Sequence, residues 1–138
     1  MPLKRPQIGA GMIIQKDNAI LLGLRKKKFG YGKLCLPGGH VELFETLEFA
    51  ARRETKEECN LSVGKVEYVG FTEDFYKKEN KHYITFFFLG EYTGGEPREN
   101  EPHKISNWSW YDIANLPNMT DQLWKPCIDK FKILGWLK

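Results

Sequence analysis

The chain has few cysteines, no long apolar run and almost no net charge, and each shortage removes a class of protein. Its three cysteines, Cys35, Cys59 and Cys127, are odd in number, widely spaced and contain no Cys-x-x-Cys pair. That pattern supports neither a disulfide framework nor a zinc knuckle and fits reduced, buried thiols. No apolar stretch approaches the roughly 20 residues of a membrane-spanning helix, so no membrane partner is expected. The opening segment through Asn18 starts basic but lacks the apolar core and cleavage pattern of a signal peptide. Together with the thiols, this leads us to expect a cytoplasmic protein. A net charge of +3 over 138 residues gives no strong electrostatic case for gripping long nucleic acid. It remains compatible with a small polyanion such as a nucleotide. With no internal repeat, low-complexity tract or linker rich in Pro, Gly or Ser, we expect one domain over residues 1–138.

What is present is the material of a globular core, 41% apolar and 28% charged. Residues 9–14 and 19–24 read as two short strands around the turn Lys16, Asp17, Asn18. Leu34, Cys35 and Leu36 form a brief strand that we expect Pro37 and the two following glycines to stop. Good helix formers run from Thr46 to Cys59, with Thr46 as N-cap and Asn60 as a left-handed C-cap. Residues 63–75 and 82–92 are β-rich and flank a polar turn at 77–81, which predicts a hairpin. After a polar loop at 94–104, a strand passes through Trp108 and Trp110. Residues 123–134 predict a second helix, with Pro126 tolerable only in its first turn. Strands mixed with two helices indicate an α/β or α+β layered domain.

The chemistry concentrates between Gly38 and Glu58. At 3.6 residues per turn, Glu54 and Glu58 stand one turn apart with Glu57 beside them, an unfavourable grouping unless something positive joins it. Leu47, Ala50 and Ala51 continue this stripe, and the two small residues are expected to leave room for a ligand. Carboxylates suit a hard cation such as magnesium, which leaves positions for water and phosphate oxygens, better than they suit zinc. Read alone, the helix is more readily a solvated acidic face, as charge runs usually are. Gly38 and Gly39 tip the balance, because a bare backbone just before the helix lets amides face an anion. Arg25, Lys26, Lys27 and Lys28 would steer phosphates inward or form a solvated turn. His40 and His82 are candidates to touch substrate, whereas Trp110 reads as core and Trp108 as rim.

These residues resemble the signature of the Nudix (MutT-like) hydrolases. Gly39, Glu45, Arg53, Glu54, Glu57, Glu58 and Leu61 fall on its spacing, which places the Nudix box at 39–61. Thr55 stands where an apolar residue is usual, Asn60 replaces the terminal glycine, and Phe44 takes a position that is often glycine. The resemblance implies an α/β/α sandwich with a mixed sheet. It implies Glu54 and Glu58 as main ligands of Mg2+, with Mn2+ as a substitute, Glu57 as a further ligand or base, and Gly39 supplying backbone. Glu45 and Arg53 would pair to fix the loop against the helix. The wider likeness, through residues 34–40, 78–83 and 121–123, points to the branch of nucleoside triphosphate diphosphatases that detoxifies thiopurine nucleotides. In that branch the positions of Arg25, Leu36, Thr85, Leu123 and Trp124 line the nucleotide site, with Gly38, Gly39 and His40 nearby. The branch is dimeric, which implies a homodimer.

The implied reaction is hydrolysis of a nucleoside triphosphate to monophosphate and pyrophosphate, with Glu57 or the loop residue Glu101 accepting a proton or holding a further metal ion. Two alternatives stay open. One is a Nudix hydrolase of oxidised purine nucleotides or nucleoside diphosphate derivatives. The other is a catalytically silent nucleotide-binding module.

Overall fold

The computed structural model of the protein describes residues 4–138, so the first three residues of the basic opening lie outside the described residues. Strands β1 (Gln7–Lys16) and β2 (Ala19–Arg25) form the expected antiparallel pair, and Asp17 at the turn adopts φ 54°. A short polar side chain tolerates that left-handed conformation. β3 (Leu34–Cys35) adds to β2. The glycines after Pro37 do not stop the chain as expected. Gly38–His40 is itself a strand, β4, antiparallel to β1 in the register Gly9–His40, Ala10–Gly39 and Gly11–Gly38. Proline cannot donate to a ladder, so the strand pairing breaks at Leu36 and Pro37 and then resumes.

Helix α1 (Leu47–Cys59) has the predicted ends. The Thr46 hydroxyl accepts from the Phe49 amide at 3.1 Å, and Asn60 sits at φ 62°, ψ 25°. Thr55 is fully buried where an apolar residue is usual, and its hydroxyl donates to the Ala51 carbonyl at 2.8 Å, so no polar atom is stranded. β5 (Val63–Tyr76) and β6 (Lys81–Tyr92) form the predicted hairpin. β7 (Ile105–Asp112) returns to pair with β2. The sheet order is β3-β2-β1-β6-β5, with β4 also on β1 and β7 also on β2. β1–β6 is parallel and the other pairs are antiparallel. A 3₁₀ segment at Ile113–Gln122, unforeseen in the sequence, precedes α2 (Lys125–Ile133). The second helix begins two residues later than predicted, because Leu123 and Trp124 remain extended and the Trp124 amide bonds the Leu34 carbonyl at 2.9 Å. Pro126 lies in its first turn, as expected.

Alternation along β1 and β2 divides the core in two. Met12, Ile14 and Leu21 pack with Ala50, Ala51 and Cys59 of α1 on one face. Ile13, Ile20 and Leu22 pack with Leu116, Cys127 and Phe131 on the other. The result is an α/β/α sandwich around a mixed sheet.

One buried cation couples α2 to β5. Lys130 is only 1% exposed, its ammonium donates to the Val69 carbonyl at 2.8 Å, and it forms no ion pair among the described residues. Burial pushes its amine below the usual lysine range. Between that lowered value and the ordinary one, the unfolded chain binds more protons than the folded chain, so native stability rises with pH there. We expect the stability of wild type relative to Lys130→Met to rise as pH increases toward the ordinary lysine range. Urea midpoints measured across that range check this, and a constant difference refutes it.

Candidate active site

The site is assembled where α1 presses against β4. Ala50 and Ala51 are fully buried against the sheet rather than open to a ligand. Their small side chains instead let the helix lie close, which carries the next residues of the stripe, Glu54 and Glu58, to the wall of a cavity of about 450 Å³. A Cβ at Gly39 would stand 2.5 Å from the Glu54 carboxylate, so only glycine admits that side chain here. Glu58 is 2% exposed and accepts from the Gly38 amide at 2.7 Å. Burial raises both carboxyls, that of Glu58 to about 8, against the pull of the Gly38 amide.

Arg53 ties the surrounding loop to the helix. Its guanidinium grips Glu45 at 2.6 and 2.9 Å, donates to Glu54 at 3.1 Å and Glu57 at 3.2 Å, and reaches the His40 carbonyl at 3.1 Å. The arginine beside Glu45 holds that carboxyl down at about 2, and its carboxylate partners push Arg53 upward. Phe44, next to Glu45, adopts φ 70°, the left-handed conformation that explains why glycine is common there.

The predicted site residues sort into two groups. Arg25, Leu36, Gly38, Gly39, His40, Glu54, Glu58, Thr85 and Trp124 all line the cavity. Glu45, Arg53, Glu57, Glu101 and Leu123 lie outside its wall. Glu57 is half-exposed and bound to Arg53, whereas Glu101 pairs with Lys104 at 3.3 Å. Leu123 is 2% exposed in the core beside Leu34, because its segment is extended rather than helical. Trp124 does not offer a free ring for stacking on both sides. The Arg25 guanidinium lies 3.1 Å from its centroid, and its indole N–H donates to the Tyr76 hydroxyl at 2.9 Å. Arg25 is also anchored to the Phe29 carbonyl, and burial lowers its pKa. His82 stacks on Phe75 at 4.4 Å away from the cavity, and neither Trp108 nor Trp110 lines it.

Sequence reasoning missed Phe29, Tyr76, Tyr83 and Lys81, which stand where the β2–β3 loop meets the β5–β6 turn, and Glu42 and Lys104. Aromatics bracketing a lysine-rich turn were the available signal. His40 and Tyr83 are parallel within 3° at 6.0 Å, and Phe29 meets Tyr76 edge-on at 4.7 Å. Burial, followed by the nearby Lys27 and Lys81, lowers the His40 pKa.

The acidic set fits a hard divalent cation. No three His, Cys, Asp or Glu side chains converge on one point among the described residues. A buried and a partly buried carboxylate facing the cavity, the buried one lacking any cationic partner among the described residues, leave further positions to backbone carbonyls, water and phosphate oxygens, as magnesium prefers.

Residues 5–131 match the family described as the NUDIX domain. The chain is similar to the oxidized purine nucleoside triphosphate hydrolase of Danio rerio, 32% identical over 132 residues that cover 92% of this chain and 83% of that protein. It is also similar to the ADP-ribose pyrophosphatase of Methanocaldococcus jannaschii, 35% identical over 114 residues covering 83% and 66% respectively. Among solved structures, a MutT NUDIX hydrolase from Burkholderia pseudomallei superposes with a TM-score of 0.76 at 28% identity, over 89% of this chain and 90% of that one.

Two neighbouring glycines separate the site from the scaffold. A methyl at Gly39 meets a movable carboxylate, whereas one at Gly38 would stand 2.5 Å from the Ala10 carbonyl oxygen. Gly39→Ala is expected to melt near wild type with turnover down about tenfold or more. Gly38→Ala should lose more than about 1 kcal/mol of stability. Parallel melts and rate assays check the pair, and equal behaviour of the two variants refutes it.

Proposed function

The chain belongs to the Nudix family of hydrolases acting on nucleotide derivatives, and from that premise we propose that it hydrolyses nucleoside and deoxynucleoside triphosphates to monophosphate and pyrophosphate with magnesium. The observation that carries this reading is the pair Glu54 and Glu58, side by side on the cavity wall beneath a strand of glycines. A divalent cation bound there, magnesium or manganese in its place, would neutralise phosphate charge and lower the pKa of an attacking water. Glu54 and Glu58 would hold it, with backbone from Gly39. Arg53 keeps Glu54 aimed inward and fixes the Glu45 loop, so it is a positioning residue. Arg25, Leu36, His40, Thr85 and Trp124 enclose the nucleotide. Water adds across the phosphoanhydride bond between the first and second phosphates, giving the monophosphate and pyrophosphate.

A second reading is supported by the likeness to an ADP-ribose pyrophosphatase, which would make a nucleoside diphosphate derivative the substrate. An oxidised purine triphosphate is the corresponding reading from the Danio rerio relative. The same proposal extends to a single domain over residues 1–138 and to a cytoplasmic location, supported by three free, buried cysteines. It includes a homodimer, supported by Tyr68, Phe71 and Phe75, each about half exposed on the long strand β5 at the sheet edge.

With magnesium, the purified protein is expected to release monophosphate and pyrophosphate in equal amounts from a triphosphate. Release of orthophosphate, or turnover that is indifferent to chelator, overturns this reading. Glu58→Gln should fold normally, since it replaces a buried carboxylate with a neutral group of the same shape. It should lose about a hundredfold or more in turnover.

A further inference from the structure

Four cations line the cavity, and two of them are already engaged. Arg25 is held by the Phe29 carbonyl and the Trp124 ring, and Lys104 by Glu101. Lys27 and Lys81 line the same cavity and make neither an ion pair nor a side-chain hydrogen bond among the described residues. Lys81 lies only over the Phe29 ring, at 5.3 Å. The two lysines come from separate elements, Lys27 from the loop between β2 and β3 and Lys81 from the first position of β6. His40 lines the same cavity. Two ammonium groups without an ion-pair partner on the wall of one cavity repel each other until an anion arrives.

We propose that Lys27 and Lys81 form a two-pronged seat for the terminal phosphates of the substrate, and that this seat selects ligands by the length of their phosphate chain. This deepens the phosphoanhydride reading and rests on it. The bond to be cut must lie over Glu54 and Glu58, at the glycine end of the cavity. The rest of the phosphate chain then runs along the same cavity, whose wall carries the two free lysines. An ammonium is a compact charge that suits a phosphate without demanding fork geometry, and its reach from a loop accommodates a chain of variable length. A nucleoside triphosphate fills the seat, and a diphosphate leaves one prong empty.

The probe is inorganic tripolyphosphate with magnesium, titrated calorimetrically into the whole protein. Alongside it, KM is measured for a nucleoside triphosphate and for the matching diphosphate. Lys27→Gln and Lys81→Gln are each expected to weaken tripolyphosphate binding about tenfold and to raise KM for the triphosphate more than for the diphosphate, with kcat changed less. Lys27→Arg should restore most of the affinity. Lys132→Gln, on the exposed face of α2, should behave as wild type. Wild-type affinity in both cavity variants, an equal loss in Lys132→Gln, or no tripolyphosphate binding by wild type overturns the seat. Because the probe carries no base and needs no turnover, products other than pyrophosphate would sink the reaction assigned above and leave this measurement intact.

Discussion

The close approach of α1 to β4 is the contact on which the cleft depends. Ala50 and Ala51 permit it from the helix side and Gly39 from the strand side. A larger residue at Ala50 or Ala51 lifts the helix and carries Glu54 and Glu58 off the cavity wall, whereas one at Gly39 displaces the Glu54 carboxylate. Small residues in a helix face would ordinarily weaken a core, since each forgoes buried apolar area. Here that loss is offset by larger neighbours, Met12, Ile14 and Leu21 across the interface. Packing thus decides where the chemistry sits.

Arg53 converts that packing into a fixed geometry. A guanidinium offers five donors in a rigid plane. This one spends them on Glu45, Glu54, Glu57 and the His40 carbonyl. The loop, the helix and the glycine strand therefore share one hub. Lysine at that position would satisfy fewer partners and leave Glu54 freer to rotate.

Most of the scaffold was readable from residue pattern. Capping at Thr46 and Asn60, the hairpin around 77–81 and the split core rest on local rules that the structure obeys. The acidic pair was readable because helical spacing is fixed. The readings that failed concern chain path rather than residue type. Gly38 and Gly39 look like a turn in sequence, yet ladder pairing with β1 makes them a strand, a non-local fact that no window around them contains. Leu123 looks helical by composition but is drawn into extended pairing with Leu34. Phe29, Tyr76 and Tyr83 meet only because two distant loops are neighbours in the fold.

The cavity wall is polarised, and that polarity has a cost before any ligand binds. Glu58 is almost wholly buried with a single amide donor, while Lys27 and Lys81 line the same cavity without an ion pair among the described residues. Neither end is neutralised by the other: Lys27 is near enough to favour the charged forms of Glu54 and Glu58, yet it pairs with neither. A fold selected for stability alone would close these gaps with direct ion pairs or apolar residues. Keeping unpaired charges of both signs on the wall of one cavity of about 450 Å³ is favourable only when a ligand carries both signs into it, a phosphate chain and its cation. Such a ligand stabilises the native state by mass action, which offsets the local strain of holding the site ready.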